Sequence, residues 1–219
     1  MPQSSPLVAI LANGAFPQGA RARRFFEKAD VLVCCDGAAK RALEAGRVPD
    51  VVVGDLDSLP QDLKEKLRDK IVQVKEQETN DLSKAFRYCL RQNWRNLVVL
   101  GATGKREDHA LGNIALLADF ASLVDSISIE TDCGRFLALT KPGEVQTRPG
   151  AQISIFSFDP NQEITSQGLK YPLRSLKAPR WHTATLNEAL GESFSLQFDP
   201  TSPLLIYIAD EKKSDRQIE

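Results

Sequence analysis

The chain has 219 residues, which is long enough for one large domain or for two smaller ones that each bury a hydrophobic core. With 42% hydrophobic and 26% charged residues, its composition is typical of an ordinary soluble globular protein. The formal net charge of −1 argues against a dedicated nucleic-acid-binding protein, because such proteins attract phosphates through an excess of basic residues.

The hydrophobic runs and the cysteines both favour a cytoplasmic protein. No apolar run approaches the roughly 20 residues that a membrane-spanning helix needs, and the N-terminal segment lacks the basic residues that begin a signal peptide. The four cysteines show no metal-ligand spacing, and Cys34 and Cys35 follow an apolar segment. We therefore expect reduced structural thiols, and neither a membrane nor a nucleic acid as a partner.

The first 124 residues alternate short apolar segments with segments of helical periodicity. Unbroken apolar strands between amphipathic helices are typical of a mostly parallel sheet that helices cover on both faces. Gly46 is expected to end the second helix and Thr79 to cap the fourth. The predicted strands are 7–11, 31–35, 50–53, 71–74 and 97–100, and the predicted helices are 21–28, 37–45, 60–70, 79–92 and 108–123.

The helical period is absent after about residue 125. Short alternating segments take its place, and glycine or proline turns separate many of them. We therefore predict an α/β fold in which an α/β domain over residues 1–124 is followed by an all-β sandwich domain over residues 125–219. The strands predicted in this second domain are 126–130, 151–156, 193–198 and 204–209.

Acidic residues follow the predicted parallel strands at their carboxyl ends. Asp36 follows the second strand, Asp55 and Asp57 follow the third, and Asp81 begins the helix after the fourth. Because neighbouring strands lie about 4.8 Å apart, these carboxylates can converge on one point, where a cation would offset their repulsion. Oxygen ligands without cysteine or histidine favour Mg²⁺ over zinc. The pattern therefore predicts a magnesium site.

Each carboxylate also has an interpretation that involves no ligand. Asp36 could be only the N-cap of the helix that follows it, and Asp81 could simply favour the positive end of its helix. Asp55 and Asp57 are harder to explain in this way, because two carboxylates in one five-residue loop repel each other unless a cation bridges them.

The fifth strand leads into GATGKREDH, residues 101–109. Its glycines could let backbone amides approach a phosphate, with Lys105 and Arg106 supplying positive charge. The spacing is not that of a Walker A loop. Alternatively, the segment is a surface turn of mixed charge, and His109 taken alone is more often a capping or core histidine than a catalyst.

Four motifs in this order, DGA at 36–38, GDLDS at 54–58, QETND at 77–81 and GATGKREDH, resemble the thiamine pyrophosphokinase family. A second signature, QGLKYPL at 167–173 followed by TLNEA at 185–189, lies in the C-terminal half. The resemblance extends from about residue 10 to residue 208. In that family an α/β domain is followed by a β-sandwich domain, as predicted here from the periodicity.

The resemblance implies transfer of a pyrophosphoryl group from ATP to the hydroxyl of thiamine, with Mg²⁺ as cofactor and AMP as the second product. Either Asp81 or Asp108 would accept the proton of the hydroxyl. The expected catalytic residues are Asp55, Asp57, Asp81, Arg106 and Asp108, and the expected metal ligands are Asp36, Asp55, Asp57 and Asp81. The residues expected to bind the nucleotide are Asp36, Gly37, Gln77, Thr79, Asn80, Gly104, Lys105 and His109.

The same resemblance implies a homodimer in which the C-terminal domain of the other subunit helps to bind thiamine. Thr185 and Asn187 match the family at that place, although Leu186 separates them and the serine often found there is absent. Lys105 likewise stands where the family often has glycine. Trp181 could stack on the flat cationic ring of thiamine, or it could equally be a buried structural tryptophan.

Three alternatives remain at this stage. The segment VVVGDLDSL resembles the start of a haloacid-dehalogenase-like phosphatase, but Gly54 interrupts the apolar run and the motif lies on the third strand. A pyrophosphokinase could act on another hydroxymethyl or hydroxyethyl acceptor. A non-catalytic regulator could bind the nucleotide or thiamine, although simple binding does not require so many carboxylates.

Overall fold

The computed structural model describes residues 5–212, and the chain divides into two compact units, residues 1–132 and 133–219. In the described part of the first unit, parallel strands form a sheet in the order β4-β3-β2-β1-β5-β6. In β1, β2 and β5 every residue after the first is buried, as expected for strands with both faces covered. The strands are β1 Leu7–Leu11, β2 Val31–Cys35, β3 Val51–Gly54, β4 Ile71–Gln73, β5 Asn96–Leu100 and β6 Ser126–Glu130.

Helices connect these strands. Small side chains on α2, namely Ala38, Ala39 and Ala42, are buried in the same cluster as Leu32 of β2, so this helix can lie close to the sheet. Phe86 of the fourth helix stacks on Phe120 of the fifth, with 3.8 Å between ring centroids. The helices are α1 Ala20–Lys28, α2 Ala38–Glu44, α3 Gln61–Lys66, α4 Asp81–Arg91 and α5 Glu107–Ala121, with a short 3₁₀ turn at Arg68–Lys70.

The ends of these helices test two capping predictions. Gly46, just after α2, has a φ of +82°, which confirms the expected left-handed cap. The N-cap of α4 is Asn80, whose side chain accepts a hydrogen bond from the N–H of Ser83 at 3.0 Å. The prediction of Thr79 as the cap was therefore wrong. The hydroxyl of Thr79 instead donates to Glu76, in the turn before the helix.

The second unit is built from antiparallel strands. Within its residues 133–212, one sheet has the order β12-β9-β14-β7 and the other β11-β10-β13-β8. Alternate residues of β9 are buried, and Ile153 and Ile155 share a core with Ile164 and Phe194 of the other sheet. The strands are β7 Gly134–Leu139, β8 Gly143–Gln146, β9 Ala151–Ser157, β10 Glu163–Gln167, β11 Leu176–Lys177, β12 Ala184–Glu188, β13 Ser193–Gln197 and β14 Leu204–Lys212.

The division between the units follows Asp132, whereas the sequence pattern suggested a boundary after residue 124. The difference is strand β6, which runs parallel to β5 with Ile127 opposite Leu97 and Ile129 opposite Val99. It therefore completes the α/β sheet. Within residues 5–212, no helix combines the length and apolarity that crossing a bilayer requires.

Candidate active site

A cleft of about 400 Å³ lies at the carboxyl edge of the parallel sheet, where ligands bind in open α/β folds. Its walls come from the loops after β1, β3, β4 and β5, from the first turn of α4 and from the first two turns of α5. The lining residues are Ala12, Asn13, Gly14, Cys35, Asp55, Gln77, Thr79, Asn80, Asp81, Leu82, Lys84, Ala102, Thr103, Lys105, Arg106, His109 and Asn113.

The loops after β1 and β5 form one continuous wall of the cleft. The N–H of Gly14 donates to the carbonyl of Gly101 at 2.7 Å, and the N–H of Ala15 donates to Thr103 at 2.7 Å. A Cβ atom at Gly14 would collide with the carbonyl oxygens of Gly101 and Thr103, so only glycine permits this contact. Gly104 has a φ of +85° and turns the chain without lining the cleft itself.

Asp36 does not line the cleft and is 1% exposed. Its Oδ2 accepts hydrogen bonds from the N–H of Ser58 at 3.0 Å and from the Ser58 hydroxyl at 2.6 Å. Its Oδ1 is buried and has no hydrogen-bond partner among residues 5–212. The N-cap of α2 is Gly37, so the simple capping interpretation of Asp36 was wrong. Asp36 instead anchors the far end of the 54–58 loop.

That loop presents Asp55 to the cleft. Its Oδ1 accepts the N–H of Asp57 at 3.1 Å, and its Oδ2 accepts Nε2 of Gln77 at 3.2 Å. The hydrogen bond from the Asp57 N–H lowers the pKa of Asp55. Leu56 adopts a φ of +74° between the two aspartates and is buried, whereas the Asp57 side chain is exposed and lies outside the cleft.

Lys84 connects the two carboxylates that line the cleft. Its Nζ lies 3.2 Å from Oδ1 of Asp81 and 3.5 Å from Oδ2 of Asp55, and its side chain is 2% exposed. Burial acts to lower the pKa of Lys84, but the hydrogen bonds and charges of Asp81 and Asp55 outweigh it and raise that pKa. Burial raises the pKa of Asp81, although Lys84 opposes the shift. Lys84 is thus a charged residue that the sequence analysis missed.

The motif QETND supplies a second wall. The Asn80 side chain donates to Oδ1 of Asn113 at 2.9 Å, and Asn113 donates to the carbonyl of Ala102 at 2.8 Å. This chain of amides links α4, α5 and the loop after β5. Thr79 is held by Glu76, whose carboxylate accepts the N–H and the hydroxyl of Thr79.

The GATGKREDH segment adds basic side chains to the cleft, Lys105 and Arg106. Lys105 Nζ donates to the carbonyl of Asn13 at 2.7 Å, and burial, with a smaller contribution from Arg41, lowers the pKa of Lys105. Arg106 makes a two-point contact with Asp108, at 3.1 and 2.5 Å, and this contact lowers the pKa of Asp108 to about 2. Arg106 lines the cleft, but Asp108 does not.

The cleft therefore brings together most of the predicted nucleotide and catalytic residues. Those that line it are Asp55, Gln77, Thr79, Asn80, Asp81, Lys105, Arg106 and His109, and those outside it are Asp36, Gly37, Asp57, Gly104 and Asp108. The residues that the sequence analysis missed include Asn13, Gly14, Lys84, Thr103 and Asn113. Asn13 and Gly14 follow β1 at the same edge of the sheet, so the rule that identified the acidic loops could also have identified them.

The predicted cluster of four magnesium ligands is not assembled. Within residues 5–212, no group of three or more His, Cys, Asp and Glu side chains is arranged to hold a metal ion. The reason is local, since Lys84 lies between Asp55 and Asp81 and Asp36 is bonded to Ser58. The donor set still suits Mg²⁺, which commonly takes one or two carboxylates and completes its shell with phosphate oxygens and water.

The second unit contains the residues predicted to bind thiamine. Asn187 is buried, and its amide bonds to backbone groups, including the N–H and carbonyl of Tyr171 at 3.1 and 2.7 Å. Thr185 donates to the carbonyl of His182 at 2.9 Å. Trp181 is 44% exposed and packs edge-on against Phe158, so it is not the buried tryptophan of the alternative interpretation.

Comparison with known proteins agrees with the division of the chain into two units. The family model "Thiamin pyrophosphokinase, catalytic domain" matches residues 22–129, and "Thiamin pyrophosphokinase, substrate-binding domain" matches residues 134–207. Thiamin pyrophosphokinase 1 of Caenorhabditis elegans is 33% identical over 172 residues, which cover 71% of this chain and 70% of the relative. The chain belongs to the thiamin pyrophosphokinase family.

Two further relatives of the thiamin pyrophosphokinase family support the assignment. Thiamine pyrophosphokinase of Bacillus subtilis (strain 168) is 30% identical over 160 residues, covering 69% of this chain and 74% of the relative. The crystal structure of thiamin pyrophosphokinase from Geobacillus thermodenitrificans superposes with a TM-score of 0.77 at 25% identity, covering 94% of this chain and 99% of that chain. The predicted family, α/β fold class and enzyme class, a transferase, are confirmed, and the other acceptor and the non-catalytic regulator are not favoured.

Proposed function

We propose that this enzyme transfers a pyrophosphoryl group from Mg²⁺–ATP to the hydroxyl of thiamine and releases AMP and thiamine diphosphate. The observation that carries the proposal is the cleft, which is lined by two carboxylates and three cationic side chains that all lie in the region matched by the catalytic-domain model. Such a cleft suits a polyphosphate, because the cations pair with phosphate oxygens and the carboxylates accept a divalent metal. The carboxylates are Asp55 and Asp81, and the cations are Lys84, Lys105 and Arg106.

The nucleotide would occupy this cleft. Gln77, Thr79, Asn80 and His109 line it with polar groups, which suits the recognition of a base and ribose, and Lys105 and Arg106 are its exposed cations. Gly104 and Gly37 would contribute by shaping the adjacent loops.

Asp55 and Asp81 would hold the magnesium ion, with Asp57 and Asp36 supporting the loop that carries Asp55. A bound magnesium ion would neutralise charge on the phosphate oxygens. Arg106 would stabilise the transferred group through its guanidinium, which Asp108 orients by the two-point contact.

In the reaction, the thiamine oxygen forms a bond to the β-phosphorus as the bond between that phosphorus and the oxygen bridging to the α-phosphate breaks. AMP leaves with the bridging oxygen. The hydroxyl proton passes to a carboxylate, and we assign this role to Asp81 because it lines the cleft. Asp108 lies outside the cleft and its two oxygens contact Arg106. Chemistry of this kind depends mainly on positioning and charge neutralisation.

The C-terminal unit would bind thiamine, as the description of its family model suggests. The exposed ring of Trp181 is available for stacking on a cationic ring, and Thr185 lies on β12, the strand that follows Trp181 in the chain. Asn187 would act indirectly, by holding the 167–173 segment through the backbone of Tyr171. We further propose a cytoplasmic homodimer with shared active sites and with no nucleic-acid or membrane partner.

The test is to incubate the purified enzyme with ATP, Mg²⁺ and thiamine and to separate the products by chromatography. We expect AMP and thiamine diphosphate in equal amounts, and neither product when Mg²⁺ is omitted. ADP with thiamine monophosphate would overturn pyrophosphoryl transfer while keeping the substrates. The absence of thiamine-dependent turnover would overturn thiamine as the acceptor.

A further inference from the structure

Lys84 differs from Lys105 and Arg106 in being buried, and the proposed function does not account for this burial. Lysine is almost never fully buried unless it is paired, and here the side chain is 2% exposed while its Nζ contacts both Asp55 and Asp81. By contrast, the Lys40–Glu44 and Lys170–Glu188 pairs lie at the protein surface, with the lysine side chains 59% and 46% exposed. The burial of Lys84 therefore costs solvation, and its contacts with the two carboxylates offset this cost.

We infer that Lys84 is a built-in cation that holds Asp55 and Asp81 in position and competes with a divalent metal ion for their oxygens. This inference rests on the proposed function, because it takes these two carboxylates as the metal ligands.

The competition follows from the contacts of Asp55. Its Oδ1 already accepts the N–H of Asp57, and its Oδ2 accepts Gln77 and lies 3.5 Å from Lys84. A metal ion that binds Oδ2 must therefore displace the ammonium group or share the oxygen with it. The lysine also offsets one of the two negative charges, which weakens the attraction of the pair for a divalent cation.

The same arrangement gives the ammonium group a second use. An ammonium group has three donors, and Lys84 both contacts the two carboxylates and lines the cleft. When a polyphosphate enters, the ammonium can turn towards its oxygens and free Asp55 for the metal ion. The enzyme free of nucleotide would thus keep its carboxylates assembled but bind magnesium weakly, and the nucleotide would bring the metal ion with it.

The test uses Lys84→Met, which removes the charge and keeps a long side chain. Titration calorimetry on the protein without nucleotide or thiamine measures the binding of Mg²⁺, and of Mn²⁺ as a substitute ion. We expect Lys84→Met to bind Mg²⁺ at least about tenfold more tightly than the parent enzyme, since the competing charge is lost. Unchanged or weaker binding would overturn the inference.

Lys105→Met is the matched control, because Lys105 lines the same cleft but bonds to Asn13 rather than to a carboxylate. Its Mg²⁺ affinity should stay within about threefold of the parent value, because a more distant charge is screened. An equal gain in both variants would show a general charge effect and would contradict competition at Asp55.

The folded state of Lys84→Met is checked by circular dichroism and thermal unfolding with and without Mg²⁺. We expect a lower Tm than the parent without the metal ion and a larger rise in Tm when it is added. Lys84→Gln is the second variant. If Lys84→Met and Lys84→Gln both fold only when Mg²⁺ is present, the inference holds. If both variants remain unfolded when Mg²⁺ is added, the inference is overturned. Since no substrate is present, the result does not depend on whether thiamine is the acceptor.

Discussion

Asp55 and Asp57 lie two residues apart, and the sequence pattern alone predicts both of them equally as metal ligands. The structure separates them, since Asp55 lines the cleft beside Gln77 and Lys84 whereas Asp57 is exposed outside it. The separation arises from Leu56, which turns the chain with a φ of +74°. A leucine in that conformation is not predictable from its type, because the left-handed region disfavours residues with a Cβ atom.

Asp55→Asn is expected to lower kcat by at least about 100-fold, the usual scale for the loss of an electrostatic stabiliser at a reacting centre. Asp57→Asn is the matched comparison and should lose less than about tenfold, because it removes only an exposed charge. Both are measured by steady-state turnover of variants whose Tm stays near that of the parent. Equal losses would contradict the assignment of distinct roles.

Leu186 combines two unfavourable features, since it has a φ of +61° and is 67% exposed. Glycine adopts this conformation without strain, so Leu186→Gly should raise stability by about 1 kcal/mol in thermal or urea unfolding. Leu190→Gly is the control, because Leu190 is 62% exposed but is not among the residues with positive φ. Its substitution should lower stability by roughly 0.5 kcal/mol through the flexibility of glycine. A loss of stability in Leu186→Gly would show that its side chain makes a compensating contact.

At the scale of elements, the start of α4 connects the fold to the cleft. Asn80 caps the helix through Ser83 and also donates to Asn113 of α5. Asn80→Ala should cost about 1 kcal/mol of folding stability, the usual value of an N-cap, and should weaken nucleotide binding by freeing Asn113. Unfolding curves and calorimetric titration with an ATP analogue measure the two effects.

Asn80→Ser separates these effects, because serine caps helices well but is too short to replace the amide donor to Asn113. We expect near-parental stability together with the reduced nucleotide affinity of Asn80→Ala. If Asn80→Ser recovers both properties, the contact with Asn113 has no part in binding.

The elements themselves were largely predictable. Continuous apolar runs identified the buried parallel strands, because both faces of each strand are covered. Details that depend on particular side chains were not. The hydroxyl of Thr79 donates to Glu76, so Asn80 rather than Thr79 caps α4. Hydrophobic periodicity contains no information about such a local contact. Lys84 was missed because a lysine on a helix is expected to be exposed unless its partners are known.

At the scale of the whole molecule, the candidate catalytic residues lie in the first unit and the candidate thiamine-binding residues in the second. The family models show the same separation between residues 22–129 and 134–207. Sequence could identify both sets, but it could not show whether one active site takes them from one chain or from two. The proposed homodimer with shared sites makes this question testable by mixing variants.

The test combines Asp55→Asn, which should lack catalysis, with Trp181→Ala, which should raise the KM for thiamine. Each variant is expected to be nearly inactive at a thiamine concentration well below that raised KM. If active sites are shared, a heterodimer has one site with both changes and one with neither. Coexpression at equal levels should then recover up to about a quarter of parental activity, since half of randomly formed dimers are mixed and each has one intact site. If each site is built from a single chain, no heterodimer contains an intact site, and activity should stay at the mean of the two variants. Size-exclusion chromatography of each variant provides the control that a dimer forms, and a monomeric elution would overturn the dimer itself.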